Sequence, residues 1–235
     1  LMPNRDLSNY PIYGLNIPAR EISGDFYDFY LHDDQLYFTL SDVSGKGVNA
    51  GMVMAKAITL FKIFARQKFK PNEILLEMNN DLKETNPPGT FITSIVGSYN
   101  LKTDIVEISN AGHQPAILRK GDNFTEFPSS STPLAVIRQK YSDVYKLASF
   151  KLDGGRIYCF TDGFSECLDE NNKEIGIDGV KELIKKHKNF SLKKELENAT
   201  EEIRKKSLKK DYNEKGIKEN NDILDDDLTI IGIGK

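Results

Sequence analysis

Three observations predict an α+β sandwich in which helices cover the outer faces of two antiparallel sheets. First, 235 residues at 39% hydrophobic content can bury roughly 70 to 75% of the surface the unfolded chain exposes, so one sizeable core is available. Second, short apolar and aromatic runs follow one another from Thr90 to Phe160, separated by turn residues, and read as successive hairpins. Third, helical periodicity interrupts the strands at two places only, which segregates helices from sheets as layered α+β folds do. A net charge of −3 with 29% charged residues excludes collagen-like, extensively disordered and strongly basic nucleic-acid-binding chains.

The elements follow in order. Residues 1–23 contain Pro3, Pro11 and Pro18 and lack a helical period, so they read as a linker segment with one short strand at 13–17, ahead of a main domain at 24–235. Runs 26–31 and 36–43 flank His32-Asp33-Asp34-Gln35 as a β-hairpin. Ser44-Gly45-Lys46-Gly47 stops the second strand, and 48–65 reads as a buried helix with Val48, Met52, Ala55, Ile58, Phe61 and Ile63 on its apolar side. Lys56 and Lys62 interrupt this stretch, which falls short of the roughly 20 residues a membrane span needs. Pro71 opens a second helix at 72–85, striped by Ile74, Leu75, Met78 and Leu82 and ended by Pro87-Pro88-Gly89. Strands are expected at 91–99, 105–109, 116–119, 144–150 and 156–160, helices at 178–188 and 191–210, a loop at 211–225 and a last strand at 228–233.

Cys159 and Cys167 are too few for a disulfide framework, so an intracellular, reducing compartment is expected and the domain is read as cytoplasmic. The chain opens on Leu1, which suggests a longer protein with a regulatory region upstream, through which the full-length protein could be anchored to a membrane. Basic residues outnumber acidic ones between Lys181 and Lys218, but carboxylates are interspersed throughout. That stretch reads as a solvated helical face, and no nucleic-acid partner is expected.

The chemistry is suggested by where aspartates stand. Asp25 follows Gly24, Asp42 ends a strand before a glycine turn, Asp162 lies in Thr161-Asp162-Gly163, and Asp226 comes just before the last strand. Carboxylates brought together on one sheet rim would repel one another unless a cation lay between them. An all-oxygen donor set without His or Cys selects a hard ion, Mg²⁺ or Mn²⁺. Each aspartate alone is equally an ordinary turn or cap residue, and spacing does not reveal which strands are neighbours, so at this level the site stays an open carboxylate metal site.

Five ordered segments add a resemblance. Residues 18–29 (PAREISGDFYDF), 41–48 (SDVSGKGV), 109–115 (SNAGHQP), 161–166 (TDGFSE) and 226–229 (DDLT) together closely resemble the bacterial PPM-type, type 2C-like serine/threonine phosphatases of the sporulation stage II protein E and sigma-factor regulator class. The match runs from about Tyr10 to Ile233, nearly the whole chain.

The resemblance implies an α-β-β-α sandwich holding two divalent cations, Mn²⁺ or Mg²⁺, between its sheets. It assigns Asp42 as the bridge that positions an attacking hydroxide, the Val43 carbonyl as a neighbouring ligand, and Asp25, Asp162 and Asp226 as the remaining metal ligands. It leaves Asp227 open as an alternative to Asp226. Gly45, Gly163 and Asp227 fall around these ligands as supports, with Gly45 and Gly47 allowing a tight turn where a side chain would obstruct the metals. Asp28, three residues from Asp25 and so on the opposite face of a regular strand, is a further candidate support. The implied reaction is direct hydrolysis of a phosphoserine or phosphothreonine on a regulatory protein, an anti-sigma-factor antagonist by analogy, and family behaviour also raises a homodimer.

Two features depart from the wider type 2C pattern: Ser44 stands where a general-acid histidine would be, and no arginine matches the phosphate-binding one. His113 reads as a structural turn residue rather than a replacement acid, Cys159 as a core residue, and Ser44 is not assigned as a nucleophile. Two alternatives stay open, a catalytically silent binding module of the same fold and a hydrolase of a small phosphate ester.

Overall fold

The computed structural model describes residues 10–19, 23–45, 47–169, 172–215, 224 and 226–235, with side chains to residue 206 in the helix that ends at 215. Two five-stranded antiparallel sheets stack face to face. The first contains β1 (Ile12–Ile17), β6 (Ala116–Lys120), β7 (Asn123–Phe127), β9 (Arg156–Phe160) and β10 (Leu228–Ile233), in the order β1-β10-β9-β6-β7. The second contains β2 (Asp25–His32), β3 (Gln35–Val43), β4 (Ile92–Asn100), β5 (Ile105–Ala111) and β8 (Ala148–Lys151), in that order.

Strand alternation sends one set of side chains inward and the other toward helices. Ile12, Phe29, Phe38, Leu40, Ile95, Cys159 and Ile231 fill the space between the sheets. On the second sheet's outer face, Phe26, Tyr37 and Val96 pack against α1 (Val48–Arg66) and α2 (Pro71–Thr85). Outside the first sheet, Tyr158, Phe160 and Ile230 pack against α3 (Asp162–Ser165), α4 (Gly176–Lys186) and α5 (Leu192–Lys215). The result is the four-layered α-β-β-α sandwich that the sequence leads one to expect.

Several elements differ in detail. The first strand of the linker segment is β1, hydrogen-bonded along its length to β10. In α1 the buried face is Ala50, Val53, Met54, Ala57, Ile58, Phe61 and Ala65, whereas Val48, Met52 and Ile63 are exposed. The helix is apolar on more than one side, so composition does not settle which stripe meets the sheet. By length and composition α1 could cross a membrane, contrary to the shorter apolar run read from sequence, yet here it packs on the sheet. The expected strand at 144–150 is shorter: a 3-10 turn at Ser142–Val144 precedes β8. The polar β7 escapes the sequence pattern because only Phe124 and Phe127 mark it as a strand. Helix α5 continues through residue 215, so the first part of the loop expected at 211–225 is helical, and 216–223 and 225 lie outside the described residues.

Candidate active site

The β2–β3 hairpin turns tightly at Asp33, whose φ of +52° is a conformation aspartate tolerates. That turn sets the register, and eight residues away it places Asp25 directly opposite Asp42. Facing residues in a ladder project on the same side, so both carboxylates leave the second sheet at one rim. In the first sheet β9 and β10 are neighbours, so Asp162, just after β9, and Asp226, just before β10, reach the same rim from the other layer.

Their electrostatics show that they converge. Asp25 is 3% exposed, and its carboxyl is pushed far above the usual range by burial and then by the charge on Asp42. Asp42 is pushed up by burial and by Asp162, Asp226 and Asp227, while a hydrogen bond from Asp25 partly offsets this. Asp162 is raised by burial and by Asp226. None of Asp25, Asp42 and Asp162 forms an ion pair with a Lys or Arg among the described residues. Also among those residues, no three His, Cys, Asp or Glu side chains are drawn tightly enough to form a ready-made ion cage. Asp25, Asp42 and Asp162 thus share a rim without a Lys or Arg counter-ion among the described residues, an arrangement that favours a cation.

A test of fit comes from Gly24. A Cβ built there would lie 3.0 Å from the Val43 carbonyl oxygen, 3.3 Å from Asp42 Oδ1 and 3.6 Å from the Gly45 carbonyl. Three oxygens thus surround a space that glycine alone leaves open, and oxygen donors are what a hard divalent cation takes. The residues present fit such an ion, and the Val43 carbonyl is one of these three oxygens. Gly45 and Gly47 have φ of +96° and +81°, but a Cβ on either would meet nothing within 4 Å. Their glycines serve the left-handed turn, and the expectation that a side chain there would obstruct the site is replaced by Gly24, which sequence reading did not single out.

The two terminal aspartates separate in role. Asp227 Oδ1 accepts from the Ala19 amide at 2.7 Å, and its Oδ2 accepts from Ser23 Oγ at 2.8 Å and the Gly24 amide at 2.9 Å. Asp227 is therefore committed to holding the segment before Asp25, a supporting position. Asp226 accepts the Asp227 amide at 3.0 Å and contributes its charge to Asp42 and Asp162. Asp225, part of the same acidic run, lies outside the described residues.

Gly163 is needed because a Cβ would collide with the Asp227 carbonyl, which brings the start of α3 against the Asp226–Asp227 segment. Thr161, also missed from sequence, donates to Asp25 Oδ2 at 2.6 Å and accepts from the Thr229 amide at 3.2 Å, tying both sheets together beside the site.

Asp28 is a correction. It faces away from Asp25, toward α1, where Lys62 Nζ lies 2.7 Å from its Oδ2. With Asp28 only 1% exposed, it anchors a helix rather than supporting the metal ligands.

The rim opens into a cavity of about 110 Å³ lined by Asp42, Thr93, Gly112, His113, Gln114 and Asp162. Burial lowers the His113 pKa to about 4, so the ring is neutral near pH 7, which agrees with its reading as other than a general acid. Ser44 Oγ accepts from the Phe91 amide at 2.9 Å, and both cysteines are buried and free.

Residues 32–234 match the family described as Stage II sporulation protein E (SpoIIE). The chain belongs to this family of PPM-type serine/threonine phosphatases. Among curated proteins it is 28% identical over 163 residues to phosphoserine phosphatase RsbU of Bacillus subtilis (strain 168), covering 68% of this chain and 48% of that protein. It thus spans about half the length of that relative. The SiaA-PP2C domain of Pseudomonas aeruginosa superposes with a TM-score of 0.79 at 17% identity, covering 97% of this chain and 87% of that one. The structure of RsbX in complex with magnesium superposes with a TM-score of 0.64 at 19% identity, covering 95% and 94%. Both structures share the fold.

Proposed function

We propose that this domain is a metal-dependent protein phosphatase that hydrolyses a phosphoserine or phosphothreonine on a regulatory protein of the anti-sigma-factor-antagonist type. The observation that carries the reading is the convergence of Asp25, Asp42, Asp162 and Asp226 on one rim, the first three without Lys or Arg partners among the described residues, around oxygens that Gly24 leaves accessible. Asp42 and the Val43 carbonyl from one sheet would hold two divalent cations together with Asp25, Asp162 and Asp226. When bound, such ions supply an activated water and neutralise charge on the phosphoryl oxygens.

The chain's own residues do the positioning. Asp25 is oriented by Thr161, the segment before it is clamped by Asp227, and Gly163 lets α3 carry Asp162 close to Asp226. Ser44, Cys159 and His113 supply no nucleophile or acid. Family membership, the RsbU likeness and the magnesium complex of RsbX support the reading, and the same relatives lend support to a place in a sigma-factor partner-switching system. An upstream sensor region and a cytoplasmic location complete the proposal.

The test is turnover of an aryl phosphate, and of candidate phosphorylated antagonist proteins, with and without millimolar Mn²⁺. Manganese-dependent activity lost in Asp42→Ala and Asp162→Ala is expected. Asp226→Asn should be far more damaging to Mn²⁺ affinity than Asp227→Asn. Activity indifferent to all of these would sink the site assignment.

A further inference from the structure

At one side of the sandwich the outermost strands of the two sheets lie together. β7 ends the order of the first sheet and β8 that of the second, and Phe127 of β7 stacks on Phe150 of β8 with ring centroids 4.6 Å apart. Beside that pair lies a second cavity, of about 380 Å³, walled by Ile108, Phe127, Pro128, Leu147 and Ala148. Lys146 also lines it; this residue is exposed and forms no ion pair among the described residues.

The cavity belongs to the same end of the sandwich as the aspartates. Asp42 faces Thr93 at the start of β4, Ser94 faces Ala111 at the end of β5, and Ile108 of β5 faces Ala148 at the start of β8. Neighbouring strands are about 4.8 Å apart, so the rim runs roughly 10–14 Å from β3 to the seam between β5 and β8. One loop separates the two cavities: Gly112, His113 and Gln114 line the aspartate cavity, and Asn110 lines the apolar one. Asn110 Nδ2 donates to the Gln114 carbonyl at 3.0 Å, and its Oδ1 accepts from the His113 amide at 2.9 Å. Ser129 Oγ accepts from the Gly112 amide at 2.6 Å, and Ser130 Oγ accepts from the Lys146 amide at 3.0 Å. These bonds fix the pocket wall to the loop of the aspartate cavity and hold the apolar space open in advance of any ligand.

An apolar concavity favours an apolar group, and an ammonium without a partner at its edge favours a carboxylate. An extended peptide advances about 3.3 Å per residue, so a chain whose phosphoserine enters the aspartate cavity reaches this pocket with its third or fourth neighbour. We infer that the pocket is a substrate subsite. It takes a bulky apolar side chain of the phosphorylated protein, about three or four residues from the phosphoserine, with an acidic neighbour paired to Lys146. No arginine matches the phosphate-binding one, so recognition of a protein substrate has to draw on contacts beyond the phosphoryl group, and this pocket is contiguous with the site that would hold it. The inference rests on the phosphatase reading.

Hydrolysis of alanine-based phosphoserine peptides in Mn²⁺ tests it, with a leucine flanked by glutamates moved stepwise along the peptide on both sides of the phosphoserine. Relative to the all-alanine peptide, KM should fall about 10-fold or more when the leucine stands at the third or fourth position on one side, with kcat within about twofold. Ala148→Met, which fills the pocket, should abolish that preference. Lys146→Glu, on the exposed edge, should turn it from glutamate to lysine flanks. Turnover of an aryl phosphate, too small to reach the pocket, should stay within about twofold of wild type in both variants.

A KM that is flat along the peptide, or a preference unchanged in both variants, overturns the inference while aryl phosphate turnover leaves the phosphatase reading standing. A wild-type domain that hydrolyses neither aryl phosphate nor peptide in Mn²⁺ sinks the phosphatase reading and the subsite with it, so the two failures are distinguished.

Discussion

Two regions of this molecule bury carboxylates and treat them in opposite ways. On the helix-covered face of the first sheet, Glu195 is fully buried, and Arg119 Nη2, Tyr158 Oη and Arg156 Nη1 all donate to it. At the rim, Asp25 and Asp42 face each other across a ladder, with Asp162 and Asp226 nearby. Burying a charge is costly unless it is paired and hydrogen-bonded. The first region meets that cost with the chain's own cations. In the second, Asp25, Asp42 and Asp162 have no such cation among the described residues, and burial and mutual repulsion push their carboxyls toward the protonated form. The contrast distinguishes a carboxylate that serves the fold from carboxylates that serve a ligand.

The largest effects should come from neutralising one member of each region. Asp42→Asn should lower Mn²⁺-dependent turnover by at least about 10³-fold, because it removes the proposed bridge. The same change should stabilise the protein in chelator, since it relieves repulsion. Glu195→Ala should do the reverse. It leaves the buried Arg119 and the part-buried Arg156 guanidinium charges without their carboxylate, so a loss of about 3–5 kcal/mol in unfolding free energy is expected, with specific activity of the remaining folded protein little changed. Urea titrations in EDTA and in Mn²⁺ measure both arms. If Asp42→Asn destabilised the chelated protein as much as Glu195→Ala does, the distinction between the regions would collapse.

Much of this contrast was legible in sequence at the rim and very little of it elsewhere. Aspartates at strand ends beside glycines are visible because turn chemistry and polarity break the apolar pattern there, and five ordered motifs make the fold plain. Asp28 was misplaced in role because the strand's period shows that it faces away from Asp25 but not that Lys62, 34 positions further on in α1, waits on that face. The Glu195 cluster is illegible for the same reason: its members come from β6, β9 and α5, and each alone reads as a surface charge. Gly24 could have been found from its place before Asp25, but only packing shows that the oxygens of Val43 and Asp42 crowd around it.

A smaller effect should appear in the pH dependence of stability. Burial and mutual repulsion raise Asp42 to about 6 and Asp25 to about 9. The folded chain therefore holds protons that the unfolded chain has released above about pH 4. Where the folded state binds more protons, unfolding free energy falls as pH rises. His113, lowered to about 4, acts in the opposite sense, its contribution growing between pH 4 and about 6.5 and constant above. Between pH 7 and 9 the decline should thus report mainly Asp25. In EDTA the melting temperature should drop across that window, and Asp25→Asn should flatten the slope. Mn²⁺ should oppose the drop, with about 2.7 kcal/mol of stabilisation at 100 times its Kd. A melting temperature that rises from pH 7 to 9 in EDTA would mean that the rim is not strained by its own charge.

The smallest effect should be at the pair that lies between the two extremes. Asp28 is buried like Glu195, and its partners include Lys62, whose side chain is 35% exposed. That exposure screens the attraction and lets the ammonium turn to water when its partner is lost. Asp28→Asn should therefore cost only about 1 kcal/mol, because the amide keeps the hydrogen bond that Oδ1 accepts from the Phe29 amide. Lys62→Met should cost more, about 3 kcal/mol, because it takes a cation away from a buried carboxylate that cannot reach water. The order of the two partners, rather than either value, is the discriminating quantity. For a surface pair the two substitutions would be equal within about 0.5 kcal/mol. Neither should alter the Mn²⁺ dependence of activity, since Asp28 points to α1. A changed Mn²⁺ affinity in Asp28→Asn would return this residue to the metal site and would show that the α1 anchor and the rim respond as one unit.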